Sequence, residues 1–230
     1  MKEKYDVPIA PQSEFVSYMM EQMSHFGLPC TEEQAKDFYM YYAHMIETNK
    51  YLNLTGITDM KEVVVKHMID SLSCYDSEII KSGMTIIDVG TGAGFPGIPL
   101  AIYDRSLKVT LFDSLKKRLT FLESIIDKLK LTNCTTLHGR AEDLSHQDYR
   151  ESFDIATSRA VARLPILLEW TVVKESNKAL STLKATIEEV RTVTLPTLDD
   201  KRAILYMKKT GKTPKQYPRK PKEIKDKPLV

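Results

Sequence analysis

Residues 86–101 read IIDVGTGAGFPGIPLA, and the glycines in this stretch fit two ligand loops. Counted as Gly92-x-Gly94-x-x-Gly97, they match the fingerprint of a dinucleotide site. Counted as Asp88-x-Gly90-x-Gly92-x-Gly94, they match the loop of an S-adenosylmethionine methyltransferase. The apolar β-branched run before them, MTIIDVG, has the texture of a buried parallel strand. Pro96 falls in the first turn of the helix that should follow, where proline is tolerated. Asp88 separates the two counts. A pyrophosphate needs the free N-terminus of a helix, and an acid beside it repels. A sulfonium and an amino group are instead attracted by that acid.

Outward from this loop, KVTLFD (108–113), CTTLHG (134–139) and FDIATSRA (153–160) read as three more strands. Between the first two, Leu119, Leu122, Ile126 and Leu129 form a helical stripe for which Ser114 is the expected cap. Strands alternating with helices at this spacing predict an α/β, doubly wound, Rossmann-like sheet. IEEVRTVTL (187–195) and RAILYMKK (202–209), joined by Pro-Thr-Leu-Asp-Asp, predict a C-terminal antiparallel hairpin added to the sheet edge. The region before Ser82-Gly83 reads as an N-terminal helical cap. It has a stripe at Phe15, Met19, Met23 and Phe26, a T-x-x-Q capping box at Thr31 and Gln34, and a further helix or pair over 59–81. FYMYYAHM (38–45) has the spacing of core packing more than of a stacking platform. The expected organisation is a cap over 1–82, a methyltransferase domain over 83–209 and a basic, proline-rich, extended tail over 210–230.

The composition allows a full core, with 42% hydrophobic and 28% charged residues. No apolar run approaches the roughly 20 residues needed to span a bilayer, and the N-terminus lacks the apolar core of a signal peptide. Cys30, Cys74 and Cys134 form no CxxC pair, and His25, His44, His138 and His146 show no metal spacing. The expectation is a cytoplasmic protein without metal. The net charge of +2 conceals a polarity. From Lys208 onward there are nine basic residues against two acids, whereas the rest of the chain is net acidic. Such a tail suits a phosphate backbone, with Lys215, Arg219 and Lys220 as contacts.

Asp113, closing the second strand, is positioned to accept hydrogen bonds from ribose hydroxyls. Ala141-Glu142 follows the third strand, where a loop walls an adenine. Arg159 and Arg163 follow the fourth strand at the end where open α/β sheets bind ligands. Arg159 suits cofactor or guanine O6, and Arg163 suits RNA phosphate. His67 and Asp70 lie one helical turn apart. Pocket capping, RNA contact or simple packing are all open to that pair.

Several blocks together, IDVGTGAGFPGIPLA, GRAEDL, TSRAVA, NLTGI, KHMIDSL and YPRKP, resemble the bacterial 16S ribosomal RNA guanine-N7 methyltransferases, the glucose-inhibited-division-B family. The resemblance implies methyl transfer from S-adenosylmethionine to N7 of a guanine in the small-subunit RNA. It implies cofactor contacts at Gly90, Phe95, Ala141, Glu142 and Arg159, with Asp113 on the ribose; the loop itself adds Asp88, Gly92 and Gly94, and Arg159 and His67 are the candidates for the catalytic centre. A monomer acting on 16S RNA or on the small subunit is the expected form. The alternatives are another S-adenosylmethionine-dependent RNA methyltransferase, an NAD-dependent oxidoreductase and a non-catalytic RNA-binding module. N7 carries a lone pair and loses no proton, so positioning without a general base is the expected mechanism.

The sequence departs from that family at one place. A Gly-Gly turn, a fifth strand and a basic loop are expected after LPILLEW, but Thr171 passes directly into VVKESNKAL. No glycine lies between Gly139 and Gly211. The favoured reading is that residues are absent from the sequence as read near Thr171 to Glu175, since losing an interior parallel strand exposes apolar surface on both neighbours.

Overall fold

The computed structural model describes residues 7–140, 149, 151–159, 177–198, 201–217, 219 and 221–226. Ala141, Glu142, Arg163 and Lys220 lie outside the described residues, as does the expected basic loop.

Helix α1 (Gln12–His25) buries Phe15, Met19 and Met23 completely, the stripe expected from their spacing. Helix α2 (Glu32–Asn49) starts with the full capping box: Gln34 N donates to Thr31 Oγ1 at 3.2 Å, and Thr31 N donates to Gln34 Oε1 at 2.8 Å. Its aromatic run is core, with Phe38, Tyr41 and Tyr42 at most 1% exposed. A third helical segment runs as α3 (Met60–Val63), a π-helix (Val64–Ile69) and α4 (Asp70–Leu72).

The strands β1 (Thr85–Val89), β2 (Lys108–Asp113), β3 (Cys134–His138) and β4 (Ile155–Thr157) form a parallel sheet in the order β3-β2-β1-β4. Helix α5 (Gly97–Tyr103) follows β1, and α6 (Lys116–Lys128) follows β2. Ser114 does not cap α6. The N-cap is Leu115 and makes no side-chain hydrogen bond; Asp113 Oδ1 takes the Leu115 N–H at 2.8 Å instead. The order fits a crossover on each side of β1, which puts the β1–α5 loop at the switch point where such sheets hold ligands. These helices and strands belong to one compact unit, Met1–Gly139 with Phe153–Arg159 and Thr194–Asp200.

The second unit contains α7 (Asn177–Leu183), β5 (Ala185–Thr194), β6 (Lys201–Lys209) and α8 (Pro221–Asp226). The hairpin β5–β6 is a two-stranded sheet of its own, not the expected addition to the edge of the parallel sheet. Among the described residues β4 pairs only with β1. Ala156 is exposed, and Ile155 and Thr157 are only half-buried. A strand with one neighbour cannot bury itself as an interior parallel strand does. The tail also differs from the extended form expected of it. Pro221 sits at the first position of α8, where its missing N–H costs nothing.

Candidate functional site

The β1–α5 loop turns on three glycines with positive φ: Gly90 (71°), Gly92 (62°) and Gly94 (108°). Gly94 has a steric reason as well. A Cβ there would lie 2.7 Å from Ile98 Cγ1 and 2.9 Å from both Leu122 Cδ2 and the Tyr41 hydroxyl. Tyr41, on α2, is completely buried and donates its hydroxyl proton to the Ala93 carbonyl at 2.6 Å. Burial holds that phenol well above its usual range. The glycine loop is thus fastened from behind by a residue 52 positions earlier in the chain. Helical spacing at 38–45 signalled only that Tyr41 is buried; nothing local signals the bond.

Asp88 is buried beneath the glycine loop. It is 0% exposed, and its Oδ2 accepts from Thr91 Oγ1 at 2.6 Å and from Gly97 N at 2.9 Å. Burial pushes its carboxyl up to about 6, against the lowering effect of those two hydrogen bonds. The distinction between the two glycine counts survives by a different route. The carboxylate occupies the first N–H of α5, the group that a pyrophosphate would need. The anion position of a dinucleotide loop is filled by the protein itself. Gly97 belongs to the same arrangement, since a Cβ there would lie 2.2 Å from Leu111 Cδ2 and 2.9 Å from Asp88 Oδ2.

Asp113 ends β2 beside the loop. Its Oδ2 accepts from Gly92 N at 3.0 Å, its Oδ1 from Leu115 N at 2.8 Å, and Arg118 Nη1 stands 3.5 Å from Oδ2. Each carboxylate oxygen accepts two hydrogen bonds, so one position per oxygen remains for a diol.

Three sequence-distant blocks meet at Arg159. Its Nη1 donates to Asp70 Oδ2 at 2.9 Å and to the Lys66 carbonyl at 3.1 Å, and its Nη2 lies 3.2 Å from His67 Nδ1. The guanidinium carbon stands 4.8 Å from the centre of the Phe95 ring, on which the His67 ring also stacks at 4.6 Å. The one-turn spacing of His67 and Asp70 thus serves to anchor a cation. The Lys66 carbonyl that Arg159 reaches lies within the π-helix, in keeping with the association of such turns with functional sites. Desolvation, followed by the Arg159 charge, lowers His67 to about 4, so it is neutral at physiological pH. Both its nitrogens are engaged, Nε2 at 2.7 Å from Thr55 Oγ1 and Nδ1 at 3.2 Å from Arg159 Nη2.

Among the described residues, no group of three or more His, Cys, Asp or Glu side chains is arranged to hold a metal ion, and no helix is long and apolar enough to cross a membrane. In the second unit Lys215 is exposed, and the Arg219 guanidinium lies 5.6 Å from the centre of the Tyr217 ring.

A family model described as GidB, rRNA small subunit methyltransferase G, matches residues 34–213. A ribosomal RNA small subunit methyltransferase G of Thermoanaerobacter sp. (strain X514) is 42% identical, with 93% of this chain and 98% of the relative covered. Its namesake in Desulfitobacterium hafniense (strain Y51) is 43% identical over 86% of this chain and 90% of its own. Among solved structures, M. capricolum TrmK in complex with S-adenosyl-homocysteine aligns with a TM-score of 0.43 at 16% identity, covering 65% of this chain and 71% of that one. The Thermoanaerobacter alignment spans 235 positions, more than the 230 residues of this chain, yet covers only 93% of it. About twenty positions of that relative therefore have no counterpart here.

Proposed function

Because the chain belongs to the rRNA small subunit methyltransferase G family, we propose that it transfers a methyl group from S-adenosylmethionine to N7 of a guanine in 16S ribosomal RNA. The observation that carries the reading is Arg159. The π-helix holds its guanidinium over Phe95, next to the glycine loop, with its Nε–H and one Nη2–H outside the described hydrogen bonds. That pair of donors forms the side edge of the planar fork, suited to a carboxylate.

The residues fit the group. Asp113 keeps acceptor positions for the ribose hydroxyls, and the positive-φ glycines at 90, 92 and 94 bring backbone close without a Cβ. Phe95 walls the pocket, and Arg159 takes the amino-acid carboxylate. Ala141 and Glu142 complete the adenine end by family resemblance. When bound, S-adenosylmethionine supplies a methyl group activated by a cationic sulfur. The chain's own residues orient that donor and exclude water. No side chain removes a proton, because N7 has none to lose. His67, with both nitrogens engaged, and Asp88, sealed behind the loop, are consistent with that. Arg163, Lys215, Arg219 and Lys220 hold RNA phosphates. The reading includes a monomeric, cytoplasmic enzyme, in keeping with three cysteines that form no disulfide.

The test is incubation with labelled S-adenosylmethionine and small subunits lacking the modification, followed by mapping of the labelled base. Label at guanine N7 is expected, and label elsewhere overturns the assigned atom. Replacing Arg159→Ala should weaken cofactor binding and methylation together; unchanged values for both remove Arg159 from the site.

A further inference from the structure

The NLTGI block plays no part in the function derived so far, yet it ends against the His67 ring. Asn49, in the last turn of α2 and 2% exposed, closes the Leu54–Thr55 turn with three hydrogen bonds. Its Oδ1 accepts from Leu54 N at 2.8 Å and Thr55 N at 3.0 Å, and its Nδ2 donates to the Thr55 carbonyl at 2.9 Å. The Thr55 hydroxyl is thereby fixed. It accepts from Ile57 N at 3.0 Å, donates towards the Ile57 carbonyl at 3.4 Å, and stands 2.7 Å from His67 Nε2.

Hydrogen-bond accounting around this ring has one consistent solution. A guanidinium has no acceptor, so His67 Nδ1 must accept from Arg159 Nη2. The neutral ring then carries its proton on Nε2 and donates to the second lone pair of Thr55 Oγ1. The opposite tautomer could aim Nδ1–H at the Lys66 carbonyl, 3.2 Å away, whose second lone pair is open to it, but it would leave Arg159 Nη2 without an acceptor at this ring. It would also set two N–H groups against each other at Nη2. We propose that Thr55 is a positioning residue for Arg159: by accepting from His67 Nε2 it fixes the imidazole tautomer that holds the guanidinium edge towards the cofactor. This rests on the reading that Arg159 binds the cofactor.

The experiment uses the full chain with ¹⁵N-labelled histidine, reading the tautomer of His67 by NMR alongside the calorimetric Kd for S-adenosylmethionine. The wild-type ring should show a protonated Nε2 and a bare Nδ1. Thr55→Ser, which keeps the hydroxyl, should preserve that pattern and leave Kd within about twofold. Thr55→Val, matched in shape but without an acceptor, should move the proton to Nδ1 and raise Kd about tenfold. In the Arg159→Ala background the same change should alter Kd less than twofold. A wild-type ring protonated at Nδ1 overturns the proposal without recourse to any variant. So does a folded Thr55→Val with wild-type tautomer and Kd, or effects of Thr55→Val and Arg159→Ala that multiply. If Arg159→Ala leaves Kd unchanged while Thr55→Val still shifts the proton, the cofactor role of Arg159 fails and its anchoring through Thr55 stands.

Discussion

Removing one oxygen atom, by Tyr41→Phe, tests whether the glycine loop is held from behind. The ring stays, 5.4 Å from Phe95, so no cavity opens. What is lost is a 2.6 Å hydrogen bond from a completely buried hydroxyl, which leaves the Ala93 carbonyl without that donor. A buried acceptor deprived of its partner costs about 1–3 kcal/mol. For a domain of this size, each kcal/mol lowers Tm by roughly 2–4 °C, so at the middle of that range, about 2 kcal/mol, a fall of about 4–8 °C is expected. The loosened loop must then be reordered when cofactor binds, raising Kd up to about tenfold, or ~1.4 kcal/mol. Hydrogen exchange should quicken at the Gly94 and Phe95 amides, which both donate to the Thr91 carbonyl. Tyr42→Phe is the control. Its hydroxyl makes only a 3.4 Å contact with Ala10 N, remote from the loop, so less than about 0.5 kcal/mol is expected and no change in Kd. If Tyr41→Phe matches Tyr42→Phe in both Tm and Kd, the loop is not secured by Tyr41 and the reasoning fails.

Asp88 should leave a mark on the pH dependence of stability. Its folded pKa of about 6 lies above the ordinary 3.8, so between these values the folded chain keeps a proton that the unfolded chain releases. Its contribution therefore declines as pH rises from about 4 to about 6 and is level above, by roughly 3 kcal/mol in all. Urea titrations across that range should show this component in the wild type and lose it in Asp88→Asn; equal pH slopes in the two proteins would contradict the buried, unfavourably ionised carboxylate. Deleting residues 208–230 should flatten the salt dependence of RNA binding, read as log K against log salt concentration. An unchanged slope would show that Lys215, Arg219 and their neighbours do not meet phosphate.

The sequence alone determined the local architecture, because periodicity and capping report directly on burial and on backbone donors. β2 covers Lys108–Asp113, as KVTLFD predicts, and the Thr31–Gln34 box forms in full. The loop, Asp113 and the Arg block were legible because each follows the end of a strand, where open sheets hold ligands. What those residues touch was not legible. The one-dimensional pattern puts Asp88 beside the glycines, but only the structure shows that its Oδ2 accepts from Thr91 Oγ1 and Gly97 N. The spacing of His67 and Asp70 showed a shared face; only the approach of Arg159, 89 residues beyond Asp70, gave that face a task. Tyr41 and Thr55 carry no local sign of the bonds they make, since hydrophobic spacing records that a side chain is covered but not by what. The separate hairpin is also a tertiary outcome. Its strands carry the expected pattern, but which strands pair is decided by where their backbone donors and acceptors find partners, and β5 and β6 find each other.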